Sequence, residues 1–128
     1  MYLSRIIEME LLAVYGTLKE GFHNHRVLPK GSRKKGTTRV AGWRMYSLGG
    51  FPYITHGAVV DDVLVEVYEV PDLRATDALE GYDEGYAGFY DRKKVSTEFG
   101  DAWIYFFPDV ENPRHPRVVS GEWEEFRE

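Results

Sequence analysis

The distribution of apolar and polar residues along the chain is typical of a sheet-rich protein with a single well-marked helix. Residues 63–70 alternate around Glu66 and Glu69, and they give the strongest prediction of a strand. Residues 10–15 are mostly apolar, which is typical of a buried strand, and they end at Gly16. We predict further strands at residues 40–48, 53–55, 89–97 and 101–107, and a short strand near residues 118–119.

The one marked helix in this pattern covers residues 73–80. Pro71 precedes it, Asp72 can cap its first turn, and Gly81 suits a C-terminal cap because glycine adopts the left-handed conformation without strain. Residues 23–28 can form one or two further helical turns. Strands and helices do not alternate regularly, which excludes a doubly wound parallel sheet. We therefore predict an α+β domain in which a mixed sheet curls around a small core.

The composition indicates one domain over residues 1–128, since a chain of 128 residues buries enough surface for one core. The chain has no cysteine, which excludes disulfide scaffolds, thiolate zinc sites and cysteine nucleophiles. No apolar stretch approaches the roughly 20 residues of a membrane helix. Residues 1–5 lack the features of a signal peptide, and residues 1–8 match no motif. We therefore expect a cytoplasmic protein with a short N-terminal extension.

The net charge of −5 argues against binding to nucleic acid or to anionic membranes, because both carry negative charge. We expect a small-molecule partner instead, and a monomer or weak homodimer. One local cluster of cationic residues has the opposite sign to the net charge. We interpret it as a solvated loop and edge strand rather than a phosphate-binding patch. The cluster comprises Lys30, Arg33, Lys34, Lys35 and Arg39.

Several familiar catalytic motifs are absent from the sequence. It contains no glycine-rich phosphate-binding loop and no nucleophilic serine elbow. His23 and His25 would lie on different faces of a helix, and His56 and His115 are isolated, so we expect no metal site. The chemistry is therefore expected to use carboxylates, tyrosines, hydroxyls or backbone amides.

The first candidate element of a site follows the first predicted strand, at Tyr15, Gly16, Thr17 and Leu18. Glycine lets the backbone leave a strand sharply, so that successive N–H groups can point at one spot and bind a carboxylate or a carbonyl oxygen. The alternative is an ordinary turn at the end of a strand.

The second candidate is Glu80, which lies at the end of the predicted helix, directly before Gly81. The negative end of the helix dipole disfavours the ionised carboxylate, and burial would act in the same direction, so we expect a raised pKa. A carboxyl group with a raised pKa suits a general acid/base near neutral pH. The alternative is an exposed glutamate in the last helical turn.

Five motifs occur in an order that resembles the γ-glutamylcyclotransferase-like superfamily, which includes the γ-glutamylamine cyclotransferases and the plant avirulence-induced (AIG2-like) proteins. The resemblance covers nearly the whole chain from about Glu10 onward. It implies a small, mixed, barrel-like sheet with short flanking helices. The motifs are Tyr-Gly-Thr-Leu-Lys-x-Gly-x-x-Asn at residues 15–24, Leu-Gly-Gly-Phe-Pro at 48–52, Val-Tyr-Glu-Val at 67–70, Leu-Glu-Gly-Tyr with Tyr-x-Arg within 79–92, and Ser-Gly-Glu-Trp at 120–123.

The resemblance also implies an activity, the cleavage of a γ-glutamyl amide. In that reaction the α-amine of the substrate attacks its own γ-carbonyl, which releases 5-oxoproline and an amine, amino acid or peptide without water, metal or cofactor. By its place in the motif, Glu80 is implied as the catalytic acid/base. The substrate-binding residues implied by the motifs are Tyr15, Gly16, Thr17, Leu18 and Tyr90.

This sequence departs from the family pattern at Thr76, where leucine is usual, and at Val65, where glycine is frequent. We interpret both as changes in packing. Phe51 and Pro52 are expected to shape the wall that selects the leaving group, and residues 83–88 form either a flap or a plain loop. Two other functions stay open: a binding protein that uses the same pocket without turnover, and an interaction protein that uses the aromatic surface and the acidic tail.

Overall fold

A computed structural model describes residues 9–81, 90–108 and 114–124 of the chain. The predicted N-terminal extension and the segment 83–88 lie outside these residues. The described part contains one α-helix, α1 (Arg74–Glu80), and a short 3₁₀ helix (His25–Val27), and neither has the length of apolar sequence that a transmembrane span requires. The eight strands in the same part are β1 (Glu10–Val14), β2 (Arg33–Ala41), β3 (Trp43–Ser47), β4 (Pro52–His56), β5 (Asp62–Val70), β6 (Asp91–Thr97), β7 (Gly100–Phe106) and β8 (Arg117–Val118).

Five of these strands form a mixed sheet in the order β2-β5-β1-β7-β6. β1 lies at its centre, antiparallel to β5 and parallel to β7, with Ala13 aligned with Val67 on one side and with Ile104 on the other. Both faces of β1 are buried: Leu12 and Val14 pack into one apolar cluster, and Ala13 packs into a second. This central position explains why the sequence of β1 is almost continuously apolar.

The other three strands form a second sheet in the order β4-β3-β8. The sequence predicted a single strand over residues 40–48, and this is wrong, because the chain turns at Gly42 between β2 and β3. Gly42 has a φ of +92°, which a residue with a Cβ adopts only with strain, and its N–H donates to the carbonyl of Asp61. The turn takes the chain from the first sheet into the second.

The α+β class is confirmed, but hydrogen bonding does not close the sheet into a barrel. Within the described residues, β2 and β6 are the two edges of the five-stranded sheet and do not pair with each other. Gly36 in β2 nevertheless lies against the ring of Phe99, in the turn between β6 and β7, with no room for a Cβ. The sheet therefore curls until its edges approach each other, and the Phe99 ring packs between them.

The basic cluster lies mainly on β2, and β2 is an edge strand, as the sequence predicted. All four of its members on this strand, Arg33, Lys34, Lys35 and Arg39, are exposed. Lys34 forms an ion pair with Glu20 at 3.3 Å, and Arg39 forms one with Asp62 at 2.6 Å. Charged side chains on an edge strand hinder its pairing with another chain. The solvated interpretation of this cluster therefore agrees with its position.

The helix α1 begins and ends close to the predicted residues. The Asp72 carboxylate accepts a hydrogen bond from the Arg74 N–H at 3.0 Å, which satisfies a donor of the first turn. At the other end, Gly81 adopts the left-handed conformation with a φ of +68°. This termination fixes Glu80 as the last helical residue.

Candidate active site

One cavity of about 250 Å³ lies between the end of β1 and the end of α1. Its walls contain all six residues that the sequence singled out, namely Tyr15, Gly16, Thr17, Leu18, Glu80 and Tyr90. The structure thus brings together motifs from distant parts of the chain. The other described residues in the walls are Ala13, Val14, His23, Asn24, Phe51, Pro52, Leu79 and Tyr105.

Gly16 permits a close contact between the loop after β1 and the opposite wall. A Cβ at this position would lie 2.9 Å from the ring of Pro52, which is too close for an unstrained contact. Gly16 is not among the glycines with a positive φ, so the sharp exit from the strand does not require glycine. Steric room beside Pro52 is the physical reason for glycine here. Phe51 and Pro52 line the cavity, where the sequence placed them.

The loop after β1 has three consecutive backbone N–H groups without an acceptor among the described residues. In the part of the chain that the structure describes, no group accepts a hydrogen bond from the N–H of Gly16, Thr17 or Leu18. The loop is held through its other groups: the Lys19 N–H donates to the Gly16 carbonyl at 3.0 Å, and the Asn24 N–H donates to the Thr17 carbonyl at 3.0 Å. The Asn24 side-chain amide also donates to the Thr17 hydroxyl at 2.9 Å.

Glu80 supplies the carboxylate of the described cavity walls. Burial raises the pKa of Glu80 to about 7. The sequence predicted a raised pKa from the helix dipole and from burial, and burial is the cause that the structure identifies. A carboxyl group with this pKa exchanges a proton readily at neutral pH, as a general acid/base requires.

Two buried tyrosines, Tyr15 and Tyr90, lie close to Glu80, and both donate their hydroxyl protons elsewhere. The Tyr15 hydroxyl donates to the backbone carbonyl of Tyr105 at 2.8 Å, and the Tyr90 hydroxyl donates to the carbonyl of Pro52 at 2.8 Å. Burial raises the pKa of both hydroxyls, and the nearby charge of Glu80 adds to the effect. Both tyrosines therefore stay protonated at neutral pH and do not stabilise the ionised Glu80 as donors.

Tyr105 connects β7 to the helix that carries Glu80. Its hydroxyl donates to the Asp77 carboxylate at 2.6 Å and lies 2.8 Å from the hydroxyl of Thr76. Thr76 is fully buried and donates its hydroxyl proton to the Tyr105 hydroxyl, and the same oxygen lies 3.1 Å from the carbonyl of Leu73. The departure from the family pattern at Thr76 thus replaces an apolar contact with a hydrogen-bonded one.

Sequence reasoning missed several wall residues, including His23, Asn24, Leu79 and Tyr105. Asn24 ends the first family motif and Leu79 begins the fourth, so both carried a local signal. Tyr105 carried none, because it reaches the cavity through the parallel pairing of β7 with β1. Within residues 9–81, 90–108 and 114–124, no group of three or more histidine or acidic side chains could hold a metal ion.

Comparison with known proteins identifies the family of the chain. A family model described as gamma-glutamyl cyclotransferase, AIG2-like, matches residues 12–125. A protein of Methanocaldococcus jannaschii, named as a candidate γ-glutamylcyclotransferase, is 34% identical over 128 residues, which cover 93% of this chain and 99% of that protein. A similarly named protein of Vibrio cholerae is 32% identical over 115 residues, which cover 88% of this chain and 94% of that protein.

Among solved structures, the crystal structure of an uncharacterized protein from Pyrococcus horikoshii is similar, with a TM-score of 0.68 and 33% sequence identity. The match covers 88% of each chain. Because the family model matches residues 12–125, the family assignment applies to most of the chain. The chain belongs to the AIG2-like γ-glutamyl cyclotransferase family.

Proposed function

We propose that this protein cleaves γ-glutamyl amides by internal cyclisation and releases 5-oxoproline and an amine. The observation that carries the proposal is the single cavity in which a carboxyl group of pKa about 7, on Glu80, faces the same space as the loop after β1. Membership of the family supports a γ-glutamyl substrate. The proposed reaction uses groups of this chain alone.

In the first step, Glu80 acts as a general base. The α-amino group of the substrate is protonated at neutral pH and cannot attack until it loses a proton. The ionised carboxylate of Glu80 takes this proton, and the free amine then attacks the γ-carbonyl carbon to close a five-membered ring. Because ring closure is intramolecular, the site mainly has to hold the reactive conformer.

In the second step, the protonated Glu80 acts as a general acid. It gives its proton to the leaving nitrogen as the bond between that nitrogen and the γ-carbon breaks. The ring nitrogen loses its second surplus proton to solvent, and the released amine gains one from solvent to become an ammonium. Glu80 is thereby returned to its starting state.

The loop after β1 is proposed to hold the anionic part of the substrate. The N–H groups of Gly16, Thr17 and Leu18 have no acceptor among the described residues, so they can donate to the α-carboxylate or to the γ-carbonyl oxygen. Donors that are fixed before the substrate arrives need no reorganisation during the reaction.

Glu80→Gln tests the proposal most directly. The amide has nearly the same size but cannot accept a proton, so 5-oxoproline formation should fall by about 10²–10⁴-fold, the typical contribution of a general base. The loop should still bind 5-oxoproline. The measurement is the rate of 5-oxoproline release from a panel of γ-glutamyl compounds, and wild-type kcat/KM should rise with pH through about 7. Glu98→Gln, in the exposed turn between β6 and β7, is the matched control and should retain wild-type rates.

Two results would contradict this proposal. A rate in Glu80→Gln similar to that of wild type would show that Glu80 is not the base. If wild type cleaves no compound of a broad panel but binds 5-oxoproline in calorimetry, the protein is a binding protein that uses the same pocket.

A further inference from the structure

Lys19 directly follows the loop that lines the cavity, but its own side chain does not reach the described cavity walls. The residue is only 5% exposed. Its ammonium donates a hydrogen bond to the backbone carbonyl of Trp123 at 2.8 Å and lies 4.9 Å from the centre of the Phe22 ring. This hydrogen bond therefore connects the end of the loop to a segment about 100 residues later in the chain.

Stability alone does not explain a buried ammonium at this position. Burial lowers the pKa of Lys19, and the negative charges of Glu66, Glu122 and Glu124 only oppose that shift. Removing a charge from water is costly, and an apolar side chain of similar length would avoid this cost. What the ammonium adds is a directed hydrogen bond, and hence a fixed geometry for the backbone of residue 19.

The segment that carries the accepting carbonyl is held in place by packing and by a backbone hydrogen bond. Trp123 is 2% exposed and packs in the apolar cluster that contains Tyr15. Two residues earlier, the Gly121 carbonyl accepts a hydrogen bond from the N–H of Leu64 at 2.8 Å. Gly121 also lies directly on the backbone of Asp62, with no room for a Cβ. The segment 121–123 is therefore held against β5.

A second contact holds the loop on the same side. The N–H of Glu20 donates to the carboxylate of Glu66 at 2.8 Å, and Glu66 also accepts a hydrogen bond from the Tyr68 hydroxyl at 2.9 Å. Two neighbouring residues of the loop are thus anchored to β5 or to the segment packed on it. The backbone just before them has little freedom to rotate.

We propose that Lys19 is a positioning residue, whose hydrogen bond to Trp123 orients the N–H groups of Gly16, Thr17 and Leu18 toward the substrate. The inference rests on the proposed function, since it concerns the loop that would hold a γ-glutamyl compound. It assigns a role to the Ser-Gly-Glu-Trp segment, which supplies the fixed end of the contact.

A double-mutant cycle tests this coupling. Lys19→Met removes the donor while keeping much of the apolar stem. Gly121→Ala displaces the acceptor, because a Cβ would collide with the Asp62 carbonyl and the φ of +71° strains alanine. The matched controls are Lys35→Met on the exposed edge of β2, and Gly42→Ala, which has a φ of +92° and open space around it.

Each test variant should raise KM and the Kd for 5-oxoproline by about tenfold, since misplacement by the order of 1 Å can cost up to 10²-fold. The KM and Kd of the double variant should be no higher than those of the more impaired single variant, because both changes break the same contact. The value of kcat should stay within about twofold of wild type, and Lys19→Arg should recover part of the affinity, since it keeps a cationic donor. Additive effects, or an unchanged KM in a folded Lys19→Met, would overturn the inference. If Lys19→Met does not fold, Gly121→Ala compared with Gly42→Ala decides the same question.

A measurement without ligand separates this inference from the proposed function. The N–H of Asn24, which is bonded to the Thr17 carbonyl, should exchange with solvent at least about tenfold faster in Lys19→Met, as expected when local opening becomes easier. Amides of β1 should keep their rates. An unchanged exchange rate at Asn24 overturns the positioning role whether or not wild type cleaves any γ-glutamyl compound. Conversely, faster exchange in a protein without activity would support the anchor and contradict the proposed function alone.

Discussion

At the scale of single residues, the cavity shows how burial brings the pKa of a carboxyl group near neutrality. Glu80 is buried beside tyrosines whose hydroxyl protons are donated to backbone carbonyls. Neither of these hydroxyls therefore compensates the desolvation of the ionised carboxylate. The sequence predicted the residue and the direction of the shift, but it could not show where the neighbouring hydroxyls donate.

The raised pKa of Glu80 predicts a pH-dependent gain in stability for Glu80→Gln. The folded protein binds the Glu80 proton more tightly than the unfolded chain, with a pKa of about 7 against 4.5. The contribution of Glu80 to stability is therefore complete below pH 4.5 and is lost as the pH rises through 7. At pH 8, Glu80→Gln should raise the free energy of unfolding by about 1–3 kcal/mol, and at pH 4 it should change it little. Urea denaturation at both pH values measures this, and an equal effect at the two would contradict it.

At the scale of secondary structure, the site depends on the attachment of α1 to β7. Thr76 and Tyr105 provide this attachment through hydroxyls that lie 2.8 Å apart. We predict that Thr76→Val, which keeps the shape but removes the hydroxyl, lowers the free energy of unfolding by about 1–2 kcal/mol, the cost of a lost buried hydrogen bond. It should also lower kcat, because α1 carries Glu80.

Thr37→Val is the control for this substitution, because Thr37 is exposed on the edge strand β2. It should leave both the midpoint of urea denaturation and kcat close to wild type. If Thr76→Val is as stable and as active as this control, the hydroxyl contact does not position the helix.

The strands and the helix were largely predictable from sequence. The two errors, the length of β2 and the turn at Gly42, have physical causes. The predicted helix over residues 73–80 agrees with α1 because its ends are marked by Asp72, which accepts the Arg74 N–H, and by the left-handed Gly81. The full length of β2 was missed, because an edge strand with polar residues on most positions shows no clear alternation. The turn at Gly42 was missed because a glycine within an apolar stretch is also compatible with a continuous strand.

At the scale of the whole molecule, the site is assembled from segments that only the tertiary fold brings together. The sequence identified the loop after β1 and Glu80 because each belongs to a compact motif. It did not identify Tyr105, because 90 residues separate Tyr105 from Tyr15. The two are joined by a hydrogen bond from the Tyr15 hydroxyl to the Tyr105 backbone carbonyl. Local patterns carry no information about such a pairing, whereas family motifs carry it indirectly.

The charge of the cavity predicts a preference among leaving groups. Its described walls contain the carboxylate of Glu80 but no lysine or arginine, and residues 82–89, between Glu80 and Tyr90, contain two acidic residues and no cation. A carboxylate on the leaving group would meet no lysine or arginine among these residues. We predict that γ-glutamyl-pentylamide is cleaved with a kcat/KM at least about tenfold above that of γ-glutamyl-norleucine, which differs from it by one carboxylate, because an unpaired charge in a partly buried site costs more than 1 kcal/mol. Equal rates, or a preference for norleucine, would contradict this.

The parallel pairing of β1 with β7 determines when the cavity can form during synthesis. β1 leaves the ribosome well before its neighbour β7 and the wall residue Tyr105. Until β7 is synthesised, Leu12 and Val14 lack some of the side chains that bury them in the folded protein. Pairing over so long a separation is slow compared with local folding. A nascent chain that stops before β7 therefore exposes an apolar strand, contains no complete site, and is a natural target for chaperones.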